Sequence, residues 1–580
     1  MATGLFDHTG RKKVSNINFC AEVWRRIGRR SGAEPREKYS RYLLLRMGSI
    51  LSRLRLIYQT LKSIYDSFAA LSERISRDPG LPVPNPSRSY WSTHPSPLDE
   101  LMKSTLPEYA DIVIIGSGIA GTAVARTLLE CHSKSDRKAE PLRVVMLEAR
   151  DVCSGATGRN GGHISPNTYR DYQQLAASYG DSAAQAIIRF RLAHLSALLT
   201  VATEEDLLRG SQARIVEQYD VYLHDKVFRR AKDELAHYLS AVPDQDGKHT
   251  ICEDGPAIQE LQLTPSVAGC ISQPGGALHP YNLVTGILRR LLTRYSSFKL
   301  FTHTPCTGIA LAPGARSYLV TTPKGTVAAA HVVHATNAWA AHLLPGMRRK
   351  IVPMRAHMTA QRPGRALGAD WAGRRAFVFY PGASPVAFDY LTQQTGAGEL
   401  MFGGGALLDG RAEPALLDNL GVANDSGEDF GIAAYLGGAL ARYFSPAWGA
   451  EGGTPDADAD AAEAWGAGRG RIAASWSGIV GFSADGQPWI GRVPRRVSLR
   501  AEPVAVALPG ACAPPGEWIA AGFTGEGMTH AWLAGAALAR MVLGDAADNE
   551  NSDKAATLPP QFVITEKRLG KADIETFLAQ

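Results

Sequence analysis

Three glycines stand at a spacing that can hold phosphate groups. Gly116, Gly118 and Gly121 form a G-x-G-x-x-G pattern directly after the apolar run 110–115. Gly116 permits a tight turn, Gly118 lets the backbone approach a pyrophosphate, and Gly121 lets the following helix pack close to the strand. The first N–H groups of that helix, at its positive end, then face the phosphates. The spacing therefore predicts a dinucleotide site.

A second apolar run, 143–147, ends in the acid Glu148. An acid at the tip of this strand can accept hydrogen bonds from the ribose hydroxyls of adenosine. Glu148 comes later than the usual interval of about twenty residues, because residues 131–142 lengthen the connection. That insertion is polar and charged, so we expect it to form a surface loop.

The loop 153–163 follows Glu148 and contains four glycines, Arg159 and Asn160. Its backbone can lie against phosphate and ring atoms of a cofactor. A simple turn explains the same composition equally well.

These residues must be positioned by a strand over 110–115, the glycine turn, a helix over 122–130 and a second strand over 143–147. Near the other end of the chain, residues 518–522 predict a strand that enters a glycine loop, and 528–541 predict an apolar, Ala-rich helix. Gly525, Gly527 and Met528 would then place free backbone N–H groups at a helix N-terminus.

The glycine motif, the acid and the loop S-G-A-T-G-R-N-G-G together resemble the FAD-dependent oxidoreductases of the D-amino-acid oxidase, glycine oxidase and sarcosine oxidase superfamily. The resemblance is closest to the branch that contains gamma-glutamylputrescine oxidase and many uncharacterised fungal proteins. It extends in family order over roughly residues 106–545, through blocks at 275–280, 332–339, 476–491 and 522–528.

The resemblance implies an α/β fold in which a Rossmann-like FAD-binding subdomain is interleaved with a mixed-sheet substrate subdomain. The expected strands include 220–225, 298–302, 318–322, 326–335, 377–380 and 399–403, and 183–208 is expected to be helical. Four parts of the chain are expected. The first is a basic N-terminal extension, 1–105, and the last is a C-terminal tail, 546–580. Between them lie an FAD subdomain, about 108–170, 270–345 and 472–545, and a substrate subdomain, about 171–269 and 346–471.

The resemblance also implies the cofactor FAD, bound non-covalently because the block before Asp485 lacks the Cys that sarcosine oxidase relatives use to attach it. The backbone around Cys306 would border the adenine, and the late helix end would stabilise negative charge on the reduced flavin. The expected cofactor contacts are Gly116, Gly118, Ile119, Ala120, Gly121, Glu148, Ala149, Arg150, Thr157, Arg159, Asn160, Gly161, Gly162, Cys306, Ala335, Thr336, Asn337, Trp339, Asp485, Gly522, Gly525, Glu526, Gly527 and Met528.

Arg355, His357 and Tyr390 lie where the cavity strands of the family fall. An Arg can grip a carboxylate through two hydrogen bonds, and a Tyr can orient an amine. A purely structural role accounts for each of the three equally well.

These features predict an enzyme that removes a hydride from a C–H next to nitrogen in an amine or amino acid. The final electron acceptor is O2 or another molecule. Sarcosine oxidase relatives use a Lys over the flavin to assist the reaction with O2, and this sequence has no Lys between Lys350 and Lys554. Two alternatives stay open, a flavin enzyme that oxidises a C–O or C–C bond in secondary metabolism and a non-catalytic flavin- or membrane-binding scaffold.

The charge distribution and the cysteine content limit the kinds of partner that this chain is expected to bind. Residues 1–90 carry 17 Lys/Arg against 7 Asp/Glu, whereas the other 490 residues carry 45 against 49. The body therefore gives no reason to expect nucleic acid binding. The seven cysteines include no C-x-x-C pair, which argues against a disulfide framework and against a zinc site. We therefore expect no bound metal and a reducing, cytoplasmic location. Mitochondrial and peripheral membrane locations stay open.

The N-terminal extension divides into three parts. Residues 1–40 predict disorder, 42–71 an amphipathic helix, and 79–97 an extended Pro-rich linker with few core residues. The apolar stripe of helix 42–71 can be covered by the body, by a second copy of the chain or by an anionic membrane surface. Residues 447–471 predict a solvated low-complexity loop.

Overall fold

The computed structural model describes residues 35–94, 96–98, 101–102, 104–135, 140–314, 316–367, 371–382, 388–396, 398–405, 414–451, 470–504, 512–544 and 557–578, with side chains from residue 52. The chain divides into two units, one ending at Ala70 and the other beginning at Leu71. The expected disorder of residues 1–34, most of the low-complexity segment 447–471 and the start of the tail lie outside the described residues.

The first unit contains most of a long helix, α1 (Pro35–Ser76). It confirms the helix predicted over 42–71 and is longer at both ends, so residues 35–40 are helical rather than disordered. The apolar side chains Leu54, Ile57, Leu61 and Ile64 are exposed. What covers this stripe stays a prediction. Further along the same helix, the side chains at positions 71 and 75 are buried in a core cluster of the second unit.

The strands in chain order are β1 (Tyr109–Ile115), β2 (Val144–Leu147), β3 (His163–Ile164), β4 (Arg214–Tyr222), β5 (Thr250–Cys252), β6 (Gly269–Ala277), β7 (Phe298–Phe301), β8 (Gly308–Leu311), β9 (Tyr318–Thr322), β10 (Gly325–His334), β11 (Ile351–Gln361), β12 (Arg375–Tyr380), β13 (Asp389–Gln393), β14 (Leu400–Gly404), β15 (Ile472–Ser483), β16 (Trp489–Arg492) and β17 (Gly516–Ala521).

The helices that follow α1 are α2 (Ile119–Ser135), α3 (Tyr169–Tyr179), α4 (Asp181–Glu204), α5 (Leu208–Ser211), α6 (Asp225–Ala241), α7 (Gly255–Glu260), α8 (Pro280–Arg294), α9 (Ala340–Leu343), α10 (Pro414–Asn419), α11 (Phe430–Tyr443), α12 (Arg495–Ser498), α13 (Ala531–Val542), α14 (Glu566–Lys571) and α15 (Ile574–Leu578).

The first sheet has the strand order β16-β17-β10-β1-β2-β7, with β8 and β9 attached through β10. Strand β1 pairs in parallel with β10 and β2, and β10 pairs in parallel with β17. The run of six consecutive buried residues in β1 fits a central strand that is covered on both faces. The carboxyl ends of β2, β1, β10 and β17 therefore meet at one edge, where a dinucleotide binds in such sheets.

The second sheet has the strand order β15-β11-β14-β13-β12-β4-β6-β3, with β5 beside β6. Most of its pairs are antiparallel, but β12 and β4 run in parallel. Together the two sheets confirm the expected α/β architecture, with a Rossmann-like sheet and a mixed sheet whose strands alternate along the chain.

Most of the strands expected from the sequence are present, with shifts at their ends. Strand β9 has the predicted bounds, and β7, β10, β12 and β14 differ from them by one or two residues. The strand expected over 220–225 instead ends at Tyr222, because Asp225 already begins α6. The insertion expected to be a loop from residue 131 continues α2 as far as Ser135. The late helix begins at Ala531, since Gly527–Thr529 form a separate short turn of 3-10 helix.

Helix α4 is long and apolar enough to cross a bilayer by length and composition, a test that helices in the core of soluble proteins also pass. Its side chains Ile187, Ile188, Phe190 and Leu198 are buried in the largest hydrophobic cluster of the second unit. The pattern of this helix is therefore accounted for by packing within the unit.

The Pro-rich segment predicted to be a linker contains part of the core. Trp91 is only 1% exposed and belongs to the largest hydrophobic cluster. The expectation of few core residues was therefore wrong for the end of this segment. We call residues 83–91 the strap, because they run along the loop that follows Glu148.

The last described residues, 557–578, pack within the second unit. Phe562, Leu569 and Ile574 are buried. Arg568 donates to Asp485 Oδ2 at 2.7 Å and to Asp485 Oδ1 at 2.9 Å, and its guanidinium carbon lies 3.7 Å from the centre of the Trp489 ring. This paired contact holds the C-terminal segment against the turn that precedes β16.

Candidate functional site

The glycine motif forms the turn between β1 and α2. Gly116 has φ of +110°, which favours glycine. A Cβ atom at Gly116 would lie 2.6 Å from the carbonyl oxygen of Ala335, and one at Gly121 would lie 2.1 Å from the carbonyl oxygen of Gly116. Both distances are too short for a side chain. The N-terminus of α2, with Ile119 and Ala120, is thereby held at the sheet edge where it can face a pyrophosphate.

Glu148 lies at the carboxyl end of β2, as predicted. Its Oε2 accepts hydrogen bonds from Ser117 N at 3.1 Å and from Ser117 Oγ at 2.7 Å, and its Oε1 accepts one from Arg150 N at 3.0 Å. Thr304 N donates to the Glu148 carbonyl at 2.8 Å, which brings the loop before the buried Cys306 to the same edge. Glu148, Ala149 and the Cys306 loop thus lie together, where the adenosine end of a dinucleotide would be held.

The loop 156–162 is fastened to the glycine motif and to the strap. Thr157 Oγ1 accepts a hydrogen bond from Ile119 N at 3.1 Å. The strap residue Ser89 donates from Oγ to the Gly158 carbonyl at 2.6 Å, and Trp91 donates from Nε1 to the Asn160 carbonyl at 2.5 Å. Trp476 Nε1 donates to the Arg159 carbonyl between them at 2.9 Å. Three successive carbonyls of the loop are therefore bound by side chains of the strap and of β15.

The side chains of Arg150 and Arg159 point to a carboxylate rather than to the sheet edge. Arg150 Nη1 lies 2.9 Å from Asp425 Oδ1, and Arg159 Nε lies 3.5 Å from Asp425 Oδ2. All three side chains are at most 5% exposed. Burial lowers the pKa of Arg159 to about 10, with Asp425 opposing that shift. Both Arg residues therefore position the loop, and the contacts expected of them with the cofactor would come from their backbone.

Two buried polar atoms at the end of β10 have no hydrogen-bond partner among the described residues. They are Thr336 Oγ1 and Trp339 Nε1. Buried polar atoms are normally satisfied, and at this edge of the sheet a bound dinucleotide could complete the bonding of these two. Asn337 Oδ1 accepts from Gly522 N at 3.0 Å, which joins this loop to the end of β17. The residues present therefore fit a bound FAD, stretched along the edge from Glu148 to Gly522.

The loop 522–528 follows β17 and bends sharply. Gly522, Thr524 and Gly525 have φ of +77°, +50° and +83°. Gly525 is exposed, Gly527 is half-buried and Met528 is buried at the start of the short helical turn. Gly522 N and Phe523 N donate to Asn337 Oδ1, and the contact of Gly525, Gly527 and Met528 with the cofactor stays a prediction. Asp485 was expected to contact the cofactor. In the structure Arg568 binds both side-chain oxygens of Asp485, and this ion pair competes with that contact.

The three predicted substrate residues lie on two different faces of the second sheet. Met358 and Tyr390 both pair with Gly403, so they share one face, and Tyr390 Oη donates to Met358 Sδ at 3.1 Å. The Tyr390 ring lies 2.8 Å from the position a Cβ would take at Gly161, and it therefore faces the cofactor loop.

Arg355 and His357 lie on the opposite face, because side chains alternate along a strand. Arg355 Nε donates to Asn419 Oδ1 at 2.9 Å, and His357 Nε2 accepts from Asp429 N at 2.8 Å. The structure therefore does not bring Arg355 and His357 together with Tyr390.

The face of Tyr390 carries polar residues that reasoning from the sequence missed. Tyr169 Oη donates to Asp220 Oδ2 at 2.6 Å, and Gln218 Nε2 donates to Asp220 Oδ1 at 2.9 Å. The guanidinium carbon of Arg170 lies 4.0 Å from the centre of the Tyr380 ring. The signal that could have indicated this face in the sequence is the alternation of polar residues along β4, from 218 to 222.

His163 is a further residue of this site, and it directly follows the two glycines that close the loop. Its ring lies 5.5 Å from the Tyr390 ring in an edge-on arrangement. Burial lowers the pKa of His163 to about 4, so the imidazole is neutral at pH 7. Burial also raises the pKa of Tyr390 to about 12, so this phenol is protonated at pH 7.

We expect Trp91→Phe to weaken FAD binding roughly tenfold, because the half-buried Asn160 carbonyl loses its donor. An unsatisfied buried acceptor costs about 1–3 kcal/mol, and 1.4 kcal/mol corresponds to a factor of ten in affinity. Fluorescence titration of the flavin-free protein measures the change. Trp448→Phe is the matched control, because Trp448 is also buried but its Nε1 has no partner within the described chain. Equal affinity in the two variants would contradict a role for the strap in holding the loop.

Comparison with known proteins agrees with this geometry. The family described as FAD dependent oxidoreductase (DAO) matches residues 111–541. Gamma-glutamylputrescine oxidoreductase of Escherichia coli (strain K12) is 25% identical over 250 residues, which are 42% of this chain and 52% of that protein. One subunit of the anaerobic glycerol-3-phosphate dehydrogenase of the same organism is 25% identical over 182 residues, 31% of this chain and 28% of that protein. The matched region is thus about a quarter to a half of these two relatives.

Solved structures show the same fold at low sequence identity. L-amino acid deaminase from Proteus myxofaciens, in complex with anthranilate, aligns with a TM-score of 0.54 and 16% identity, over 84% of this chain and 96% of that one. Glycine oxidase from Geobacillus kaustophilus aligns with a TM-score of 0.53 and 18% identity, over 79% and 99%. At these identities the likeness concerns the fold alone.

Proposed function

Because this chain belongs to the DAO family of FAD-dependent oxidoreductases, we propose that it removes a hydride from a C–H bond next to nitrogen in an amine or amino acid. Bound FAD supplies the electron-accepting chemistry, and the protein supplies orientation and electrostatics. The N-terminus of α2, Glu148, the loop 156–162 and the loop 522–528 would hold the cofactor.

The observation that carries this proposal is that the group formed by Met358, Tyr390 and His163, near Gly161, carries no charge at pH 7. Met358 is apolar, Tyr390 is protonated at pH 7, and His163 is neutral because burial lowers its pKa. A neutral amine needs no proton removed before the hydride leaves, because the nitrogen lone pair stabilises the developing positive charge. The aromatic and thioether groups of this face would pack against the substrate carbon and exclude water. The match to gamma-glutamylputrescine oxidoreductase supports the same class of substrate.

The second candidate is oxidation of a C–O bond, as in an alcohol or a glycerol phosphate. An alcohol must lose its hydroxyl proton as the hydride departs, and His163 is a weak acceptor for that proton because burial lowers its pKa to about 4. The match to the glycerol-3-phosphate dehydrogenase supports this candidate over a shorter part of the chain.

We further propose that FAD is held without a covalent bond and that O2 or another molecule accepts the electrons. Burial raises the pKa of the Cys306 thiol to about 12 and that of Cys153 further, so neither is an activated nucleophile at pH 7. Lys350, the last Lys before the long interval without one, donates to the Ala572 carbonyl at 3.0 Å. It is therefore engaged with the C-terminal segment.

Anaerobic mixing with a panel of amines and amino acids, each paired with the alcohol of the same carbon skeleton, tests the proposal. We expect flavin absorbance to bleach with amines and not with the paired alcohols. The rate should rise with pH until the amine is fully deprotonated, since the neutral amine is the reactive form. Bleaching by alcohols alone would favour C–O oxidation, and the absence of bleaching with every compound would favour the C–C or scaffold alternatives.

A further inference from the structure

A buried cluster of charges lies directly behind the loop that follows β17. Arg191, on α4, donates from Nη1 to Asp171 Oδ2 at 2.7 Å, and its Nη2 lies 3.5 Å from Glu526 Oε2. Its Nε donates to His530 Nε2 at 3.2 Å. The Arg191 side chain is 3% exposed. One guanidinium is therefore shared by two carboxylates, one on α3 and one in the loop.

The cluster has an imbalance of charge that a single proton removes. Burial and Arg191 hold the pKa of His530 well below its usual range, and burial lowers the pKa of His194 to about 4, so both imidazoles are neutral at pH 7. With both carboxylates ionised, Arg191, Asp171 and Glu526 carry a net charge of one negative unit. With one carboxylate protonated, the net charge is zero.

Glu526 is the carboxylate suited to take that proton. Asp171 receives a hydrogen bond from Arg191, whereas Glu526 Oε2 is buried and has no hydrogen-bond donor among the residues described. Burial raises the pKa of Glu526, Arg191 opposes the shift and Asp171 adds to it. The rest of the Glu526 side chain is 31% exposed, so a proton can reach it from solvent.

The position of Glu526 relates it to the cofactor. It lies in the loop that follows β17, three strands along the sheet edge from Glu148 at the end of β2. The loop of Glu526 is thus a part of the chain that would hold the end of a dinucleotide opposite to the adenosine. Reduction of FAD would add negative charge at that end, and a second negative charge close by is unfavourable where the carboxylate oxygen is buried.

We propose that Glu526 takes up one proton from solvent each time FAD is reduced and releases it on reoxidation. Two electrons and one proton go to the cofactor, and a second proton converts the Glu526 carboxylate to the neutral acid. Arg191 and Asp171 act as positioning residues that hold Glu526 close to the balance between its two forms. The inference rests on the FAD dependence of the family and not on the identity of the substrate.

Potentiometric titration of the full-length holoenzyme from about pH 6 to about pH 9, with dithionite as reductant, tests this inference. We expect wild type to bind two protons per two electrons above neutral pH, and Glu526→Gln to bind one. Glu526→Asp should restore the second proton. Glu205→Gln is the matched control: Glu205 is another buried carboxylate, paired with Arg126, outside the cofactor edge, and its replacement should leave two protons. Equal proton counts in wild type and Glu526→Gln would overturn the inference.

A second measurement on wild type alone covers the case in which the variant does not bind FAD. The infrared difference spectrum between reduced and oxidised holoenzyme should gain a band from a protonated carboxylic acid. Its absence would overturn the inference. Both measurements use a chemical reductant, so they are independent of whether the substrate is an amine or an alcohol.

Discussion

Replacing Gly121 with Ala is expected to weaken FAD binding by roughly ten- to a hundredfold. The new Cβ atom would lie 2.1 Å from the Gly116 carbonyl oxygen, so α2 must move away from β1 and carry its N–H groups away from the pyrophosphate. Overpacking of this kind costs about 1–3 kcal/mol, and the upper value corresponds to more than a hundredfold in affinity. The better helix propensity of Ala returns at most about 1 kcal/mol. Fluorescence titration with FAD measures the loss.

Gly155→Ala is the matched control for this experiment. Gly155 lies in the loop that follows Glu148, has φ of −78°, and has nothing within 4 Å of the position of an added Cβ. We expect FAD affinity close to that of wild type. If Gly121→Ala also bound FAD like wild type, the N-terminus of α2 would not be the phosphate site.

Replacing Asp425 with Asn should lower the free energy of unfolding by about 3–5 kcal/mol. Asn keeps the size of the side chain but leaves the guanidinium groups of Arg150 and Arg159 buried without their shared countercharge. Removing one partner of a buried ion pair has this cost because the remaining charge stays in a medium of low polarity. Since natural proteins are stable by only about 5–15 kcal/mol, the variant should accumulate poorly at physiological temperature. Urea unfolding of the flavin-free protein measures the difference.

Asp244→Asn provides the control for a surface ion pair. Asp244 lies 3.1 Å from Arg189, and the two side chains are 53% and 41% exposed. Exposed pairs contribute about 0–1 kcal/mol, so this variant should unfold close to wild type. A similar small effect for Asp425→Asn would show that the Ser154 carbonyl, which accepts a hydrogen bond from each of the two Arg side chains, is what holds them.

The cofactor end of the site could be predicted from the sequence because its signals are local. Gly116, Gly121 and Glu148 belong to one strand, helix and strand in succession, and each residue type is required by backbone geometry at its own position. These features depend on a few neighbouring residues, which a sequence displays directly.

The substrate face could not be predicted in the same way. Arg355 and Tyr390 both lie on strands, but which of them faces the cofactor depends on how β11, β14 and β13 pair. A shift of one residue in that pairing reverses the face of every side chain. The register is fixed by contacts between distant segments, and the sequence carries no local mark of it.

Partners far apart in the chain were missed for the same reason. Asp425 binds Arg150 across 275 residues, and Arg568 binds Asp485 across 83. Nothing close to Asp425 in the sequence indicates a buried cation. In the strap, composition pointed to a linker, and the single signal to the contrary was Trp91, a large aromatic residue at the end of a Pro-rich stretch.

The strap also has a consequence for the order of events on the ribosome. Ser87 N donates to the Asp425 carbonyl at 2.6 Å, and Ser87 Oγ accepts from Ser477 N at 3.0 Å. The strap is therefore synthesised several hundred residues before the residues that it binds. The β1–α2–β2 segment can form on the nascent chain, but the loop beside it cannot be locked until residue 477 has emerged. Capture of the cofactor is therefore a late step of biosynthesis, and premature release of a truncated product yields a polypeptide without a finished binding site.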